Sequence, residues 1–141
     1  MTIKAVKAII LVNKNYLLQL RDKKKNISFP NHWGLFGGRI DKKEKNTIAL
    51  KREIKEETNL NIKINRRVFN VDFDIIGLKK KRNLQYYECE IIGKKKIKLS
   101  EGKKYKFFSF QQIKKLNMVP MDFVALKSHY LHNNHFISIY R

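Results

Sequence analysis

Glu53, Glu56 and Glu57 fall together in the run KREIKEET, residues 51–58. At about 100° per residue, a helix sets all three on one narrow stripe. Carboxylates at that spacing repel one another, so the stripe is stable only with a cation or a basic group among them. Oxygen donors with no His or Cys interleaved suit a hard divalent ion, and Mg²⁺ better than Zn²⁺. Upstream, Gly37 and Gly38 allow a turn in which the backbone approaches a ligand or the helix closely. An active site is expected between this glycine pair and the carboxylate stripe.

The element that must carry the stripe reads as a helix from about Asn46 to Thr58. Asn46 can cap its start, Ala49 to Glu53 favour helix, and neither Gly nor Pro interrupts it. Asn59 follows, the residue next most tolerant after glycine of the left-handed conformation that ends helices.

From Gly38 the chain reads Gly, five residues, Glu44, seven residues, then Arg52, Glu53, Ile54, Lys55, Glu56, Glu57, Thr58, Asn59 and Leu60. This resembles the Nudix box of the Nudix hydrolases. Asn59 is the one departure inside the box, standing where the family pattern has glycine. The flanks LLQLRD, HWGLFGG and EGKKYKFFSF are also similar to what surrounds the box in family members, and Phe36 stands where many have proline. The resemblance implies an α/β fold, a Nudix-type α/β/α sandwich with a mixed, curved sheet between helices. It also implies Mg²⁺-dependent cleavage of the diphosphate bridge in a nucleoside diphosphate derivative, with Mn²⁺ as the alternative ion.

Carried over residue by residue, the resemblance makes Glu53, Glu56 and Glu57 the metal carboxylates and the Gly37 carbonyl a further ligand. Arg52 and Glu44 resemble the family's orienting pair. The general base is either Glu101, which stands where some members place a loop carboxylate, or one of the helix glutamates. Arg21 either faces the substrate phosphates or is an exposed arginine at the sheet edge, Gly38 is expected to face substrate, and Asn117 or Asp122 either reads a base edge or caps the last helix.

The chain looks like the small members that convert nucleoside triphosphates, including oxidised ones, to monophosphate and pyrophosphate. The competing readings are a nucleotide-sugar or dinucleotide hydrolase, an enzyme of RNA 5′ ends, and a catalytically silent nucleotide-binding module. The last would show a broken carboxylate set, whereas this set is intact.

At 141 residues the chain is expected to form one domain, 1–141, with a single core. Its one cysteine, Cys89, can form no intramolecular disulfide, and the N-terminus lacks the long apolar region of a signal peptide, which points to a reducing cytoplasm. No run approaches the roughly 20 apolar residues of a membrane span. A net charge of +20 is often the mark of a polynucleotide binder. Here the lysine runs at 23–25, 79–81, 94–96 and 103–104 are scattered over turns, and abundant Lys, Ile and Asn suit AT-rich codons. A small nucleotide is therefore the favoured partner over a polynucleotide, and nothing in the sequence sets the oligomeric state.

Around the box, Ile3 to Val12 and Tyr16 to Arg21 read as a hairpin joined by Asn13, Lys14 and Asn15. Trp33 to Phe36 is expected to be extended. Asn61 to Ile76 is too long for one straight strand and should bend, with Val68, Val71, Phe73 and Ile75 apolar-side; Gly77 to Asn83 reads as a basic turn. Leu84 to Ile92 is a strand with Tyr87, Cys89 and Ile91 on one face and Tyr86, Glu88 and Glu90 on the other. Lys104 to Phe110 gives a last strand, Gln111 to Leu116 a short helix, and Pro120 opens a final helix from Met121 to Leu131 with Phe123, Val124, Leu126 and Tyr130 facing the core. Cys89 is expected in the core. His32 and the group His129, His132 and His135 are expected at the surface. Strands and helices mix without a regular βαβ repeat, which favours a mixed sheet with helices on both faces.

Overall fold

A computed structural model describes residues 2–22, 28–74, 80–94, 96–100 and 104–133. The apolar opening of the chain forms strand β1, Thr2–Val12, which turns through Asn13 and Lys14 into β2, Asn15–Leu20. Both turn residues have positive φ, 51° and 64°, so this is the two-residue hairpin whose twist matches that of the strands it joins. Asn15 therefore belongs to β2 and not to the turn.

Two short strands follow, β3 (Trp33–Gly34) and β4 (Phe36–Arg39), and then helix α1, Asn46–Thr58. Strand β5, Asn61–Asp74, and strand β6, Lys81–Ile92, pair antiparallel. The chain closes with β7 (Lys104–Phe108), the single turn α2 (Phe110–Ile113) and helix α3 (Pro120–Asn133). The sheet runs β3-β2-β1-β6-β5, with β4 also pairing β1 and β7 pairing β2. β1 meets β6 in parallel and β2 and β4 antiparallel, so the sheet is mixed. The bend expected in β5 arises at register shifts between Ile64 and Arg66 and between Arg67 and Phe69, where extra residues increase the local twist.

Alternation along β1 sends Val6, Ala8 and Ile10 to one face and Ile9 to the other. The first set packs with Leu17, Phe36, Leu50, Ile54, Tyr87 and Cys89 beneath α1. Ile9 packs with Tyr16, Leu18, Tyr86, Phe108, Ile113 and Leu126 beneath α2 and α3. Two cores on one sheet make the sandwich. Leu50 and Ile54 are completely buried, so truncating either to Ala would cost about 2–5 kcal/mol. Burial also pushes the Cys89 thiol up to about 12, so it behaves as a small core side chain.

Several local expectations change in three dimensions. Lys45, not Asn46, is the N-cap residue of α1, and it makes no side-chain cap bond. The Asn46 amide instead donates to Gln85 Oε1 at 2.7 Å and to the Tyr87 hydroxyl at 3.3 Å. Residues 81–83 belong to β6 and not to a turn, while Ile75 to Lys79 lie outside the described residues. β7 stops at Phe108 because Ser109 caps α2 through a reciprocal capping box with Gln112. In α3 the buried side is Asp122, Ala125, Leu126 and His129, and Val124 is exposed. Contrary to the surface position that the sequence suggests, His129 is wholly buried, with Nδ1 2.8 Å from the Tyr16 hydroxyl and Nε2 2.8 Å from Glu88 Oε1. His135 lies outside the described residues.

Candidate active site

The glycine pair does not form a turn. Gly37 and Gly38 lie in β4, paired with Lys7 and Val6 of β1, and neither has a positive φ. Glycine is needed there because neighbours come too close: a side-chain carbon on Gly37 would overlap the Val6 carbonyl, and one on Gly38 would overlap the Glu53 carboxylate. The empty face of Gly38 is thus the floor on which Glu53 rests. The amide of Gly37 donates to Glu57 Oε1 at 3.1 Å, so β4 positions two of the three helix carboxylates.

Arg52 organises the stripe from the other side. Its Nε and one terminal nitrogen grip Glu44 at 2.8 and 2.9 Å. The other terminal nitrogen donates to Glu53 at 3.1 Å and reaches Glu56 at 3.4 Å. Glu44 is held in turn by the backbone N–H of Asp41 at 3.0 Å, in a turn where Lys43 has φ 67°. Planar, two-pronged pairs of this kind fix geometry as well as charge. The Arg52 hydrogen bond, with the Asp41 amide, holds the Glu44 carboxyl at about 2. Glu53 moves the opposite way: burial raises its pKa against the pull of Arg52, and the Glu56 and Asp41 charges add to the rise. Glu56 stands more than half exposed, at 58 %.

The C-terminal end of α1 is closed by tertiary contacts. Asn59 has φ 65° and ψ 13°, and its N–H returns to the Lys55 carbonyl, the expected left-handed cap. Residues 96–100 then run beside the last turn, with Lys98 N–H donating to the Thr58 carbonyl and Ser100 N–H to that of Glu57. Carbonyls a helix leaves unpaired are satisfied in this way. Glu101 follows directly, outside the described residues.

Among the described residues no three His, Cys, Asp or Glu side chains converge as a formed ion cage. Arg52 and the Gly37 amide hold the carboxylates in their place. The donor set nonetheless fits a hard divalent ion: Glu53, Glu56 and Glu57 offer only oxygens, one on a cradle that a side chain would fill.

Other expected site residues are placed differently. Arg21 follows β2 and donates from Nε to the Ser28 carbonyl at 2.8 Å, while its backbone pairs with Asn31 and His32; it closes its own loop. Asn117 is exposed, and its carbonyl accepts from Trp33 N–H. Asp122 is neither a helix cap nor an open acceptor. It is completely buried, accepting from Lys7 Nζ at 2.9 and 3.0 Å, the Tyr86 hydroxyl at 2.7 Å and Leu35 N–H at 2.9 Å. Burial, then the adjacent Asp122 charge, pushes the Tyr86 hydroxyl above its usual range, so it remains a donor. Sequence reasoning missed Lys7, whose one visible signal is a charge inside the apolar run VKAIILV. A separate groove of about 430 Å³ lies where Lys4, Asp72, Asp74, Lys81, Asn83 and Gln85 meet, and none of the α1 carboxylates lines it.

No helix among the described residues is long and apolar enough to cross a membrane. No curated protein matches the sequence. Solved structures do resemble the fold. A MutT protein from Methanosarcina mazei Go1 superposes with a TM-score of 0.75 at 23% identity, covering 95% of each chain. A MutT NUDIX hydrolase from Burkholderia pseudomallei gives 0.76 at 20% identity over 91% of this chain and 98% of that one. An Ap4A hydrolase from C. elegans gives 0.72 at 21% identity over 94% and 98%. The NUDIX domain model matches residues 1–127. With the box residues gathered on one helix against a glycine strand, and the match spanning nearly all of the sequence, the chain belongs to the NUDIX family of hydrolases, enzymes that act on phosphorus-containing anhydrides.

Proposed function

We propose that this hydrolase cleaves the diphosphate bridge of a nucleoside triphosphate, canonical or oxidised, releasing monophosphate and pyrophosphate. The observation that carries the reading is the intact carboxylate stripe of α1 seated on Gly38 and braced by Arg52. Glu53, Glu56, Glu57 and the Gly37 carbonyl would hold Mg²⁺, or Mn²⁺ in its place. When bound, the ion supplies charge neutralisation at the bridge oxygens and an activated water.

The protein's own residues do the positioning. Arg52 keeps Glu53 and Glu56 from separating, and its grip on Glu44 ties the helix to the loop that leads into it, so the stripe keeps its geometry as charge changes beside it. The Gly37 N–H orients Glu57. Glu101, which stands in sequence where some family members place a loop carboxylate, is the general base in this reading; a helix glutamate is the alternative. A buried lone cysteine fits a reducing, cytoplasmic setting.

The test is a panel of canonical and oxidised nucleoside triphosphates, nucleotide sugars, dinucleoside polyphosphates and triphosphorylated RNA, assayed with Mg²⁺ and with products identified. Monophosphate plus pyrophosphate from a triphosphate is the expected result. Preference for another class on the panel reassigns the substrate, and turnover of none of them removes the reading.

A further inference from the structure

The sheet face beneath α1 extends beyond the start of that helix. Val6 packs under α1 and pairs with Gln85, to which the first helical residue, Asn46, donates. Two residues further along each strand, Lys4, Asn83 and Asp72 form a row across β1, β6 and β5, and alternation keeps that row on the same face. A last row, Thr2, Lys81 and Asp74, completes the floor. These rows line the groove of about 430 Å³, a size ordinary for small-ligand sites.

The floor is fixed and its rim is open. Asn83 and Gln85 are each only 8% exposed. Asn46 and the Tyr87 hydroxyl donate to Gln85 Oε1, and Gln85 Nε2 donates to Asn83 Oδ1 at 3.0 Å. Asn83 Nδ2 in turn directs both its N–H bonds, at 2.7 Å each, to Asn70 and to Asp72 Oδ1. Every amide is thus oriented, leaving a second lone pair on Asn83 Oδ1 and one N–H on Gln85 for a ligand. Around this floor, Lys4, Lys81 and Asp74 make no ion pair or side-chain hydrogen bond among the described residues.

The distribution of charge selects the ligand. Lys4 stands on β1 and both aspartates on β5, two strand spacings or roughly 10 Å apart at the backbone. An anionic group belongs on the lysine side, and hydrogen-bond donors on the aspartate side. Those donors should be neutral, because Lys81 already stands opposite Asp74 and opposes a second cation. Phe73 gives a base no platform here: it pairs with Arg82, and alternation sends its ring to the other face. We propose that this groove is a second ligand site, distinct from the α1 carboxylates, and that it binds a sugar phosphate, with the phosphate at Lys4 and the hydroxyls at Asp72, Asp74 and Asn83.

The experiment is titration calorimetry of the protein in EDTA, so that no divalent ion bridges a phosphate to α1. Ribose 5-phosphate, ribose, inorganic phosphate and adenosine monophosphate are the probes. Ribose 5-phosphate is expected to bind about tenfold or more tighter than ribose or phosphate alone, the scale of one charged hydrogen bond. Backbone amide resonances of residues 72–74 and 81–85 should shift with it. Binding no tighter than that of phosphate, tighter binding of adenosine monophosphate, or shifts confined to α1 would each overturn the proposal. Lys4→Gln and Asp72→Asn, which change exposed residues and leave Asn83 an oxygen to donate to, should each weaken ribose 5-phosphate binding about tenfold. Glu56→Gln with Glu57→Gln should leave it unchanged. Wild-type affinity in both groove variants, or its loss in the α1 variant, places the ligand elsewhere and overturns the site. No arm depends on turnover, so triphosphate hydrolysis and this site stand or fall separately.

Discussion

Arg52 bridges acids that the box brings together, donating to Glu44 eight residues upstream and to Glu53 beside it. The same guanidinium reaches Glu56 one turn on. Glu53, Glu56 and Glu57 would otherwise repel along the stripe. If these carboxylates supply the charge that the reaction needs, Glu56→Gln with Glu57→Gln preserves shape and removes two charges. Turnover should then fall by about two orders of magnitude or more, read as kcat under saturating Mg²⁺ and substrate. Wild-type turnover in that double variant would remove these two residues from the site.

At the scale of the element, α1 depends on how it stops. Asn59 holds φ 65° with its N–H on the Lys55 carbonyl, a conformation in which a β-branched side chain clashes with backbone. Asn59→Gly is expected to be nearly neutral, and Asn59→Val to destabilise by roughly 1 kcal/mol or more; urea unfolding of the two variants compares them. Equal midpoints would show that the cap geometry carries no energy. Helix α3 is anchored differently, by His129 between Tyr16 and Glu88. Burial lowers the pKa of His129 despite the opposing hydrogen bond and charge of Glu88, so the folded state holds the neutral ring. The unfolded ring titrates near ~6.5. The stabilisation is thus complete above that value and is lost as pH falls below it. Between pH 7.5 and 5.5, above the carboxylate range, the wild-type unfolding midpoint should drop more than that of His129→Gln. Parallel curves would mean that His129 is not the titrating anchor.

Across the whole molecule, basic residues outnumber acidic ones. Of 12 acidic residues, Asp41, Glu44, Glu53, Glu56 and Glu57 fall within residues 41–57, interleaved with Lys and Arg, and the 32 Lys and Arg are spread along the chain for a net +20. A diffuse positive field draws in small polyphosphates, and salt screens it over a Debye length of about 10 Å at 0.1 M. Raising ionic strength should lower kcat/KM for a nucleoside triphosphate where encounter limits the rate, and leave kcat largely unchanged. A strand-tracking enzyme would instead contact several phosphates, giving a steep salt dependence and strong preference for triphosphorylated RNA over free triphosphate. Measuring both substrates across one salt series separates the cases, and RNA preference at physiological salt would make the scattered lysines a binding surface.

What the sequence by itself determined is what short-range physics controls. The span of α1, the left-handed Asn59 and the β1–β2 hairpin all rest on hydrogen bonds and backbone preferences between residues a few positions apart. Helix periodicity likewise sets Glu53, Glu56 and Glu57 on one stripe, whereas the pairing of Arg52 with Glu44, which lies before the helix, was implied only by the family resemblance. Tertiary structure decided the rest. Asn46 looked like a cap until Gln85 and Tyr87 of a distant strand took its amide. The glycine pair looked like a turn, yet its reason is close approach of β1 on one side and Glu53 on the other. Lys7 meets Asp122 across 115 residues and Tyr16 meets His129 across 113. No local pattern distinguishes a charged or ring side chain bound for solvent from one whose buried partner arrives only when the sheet and α3 close together. Polar groups of this kind are worth burying only when those partners are present.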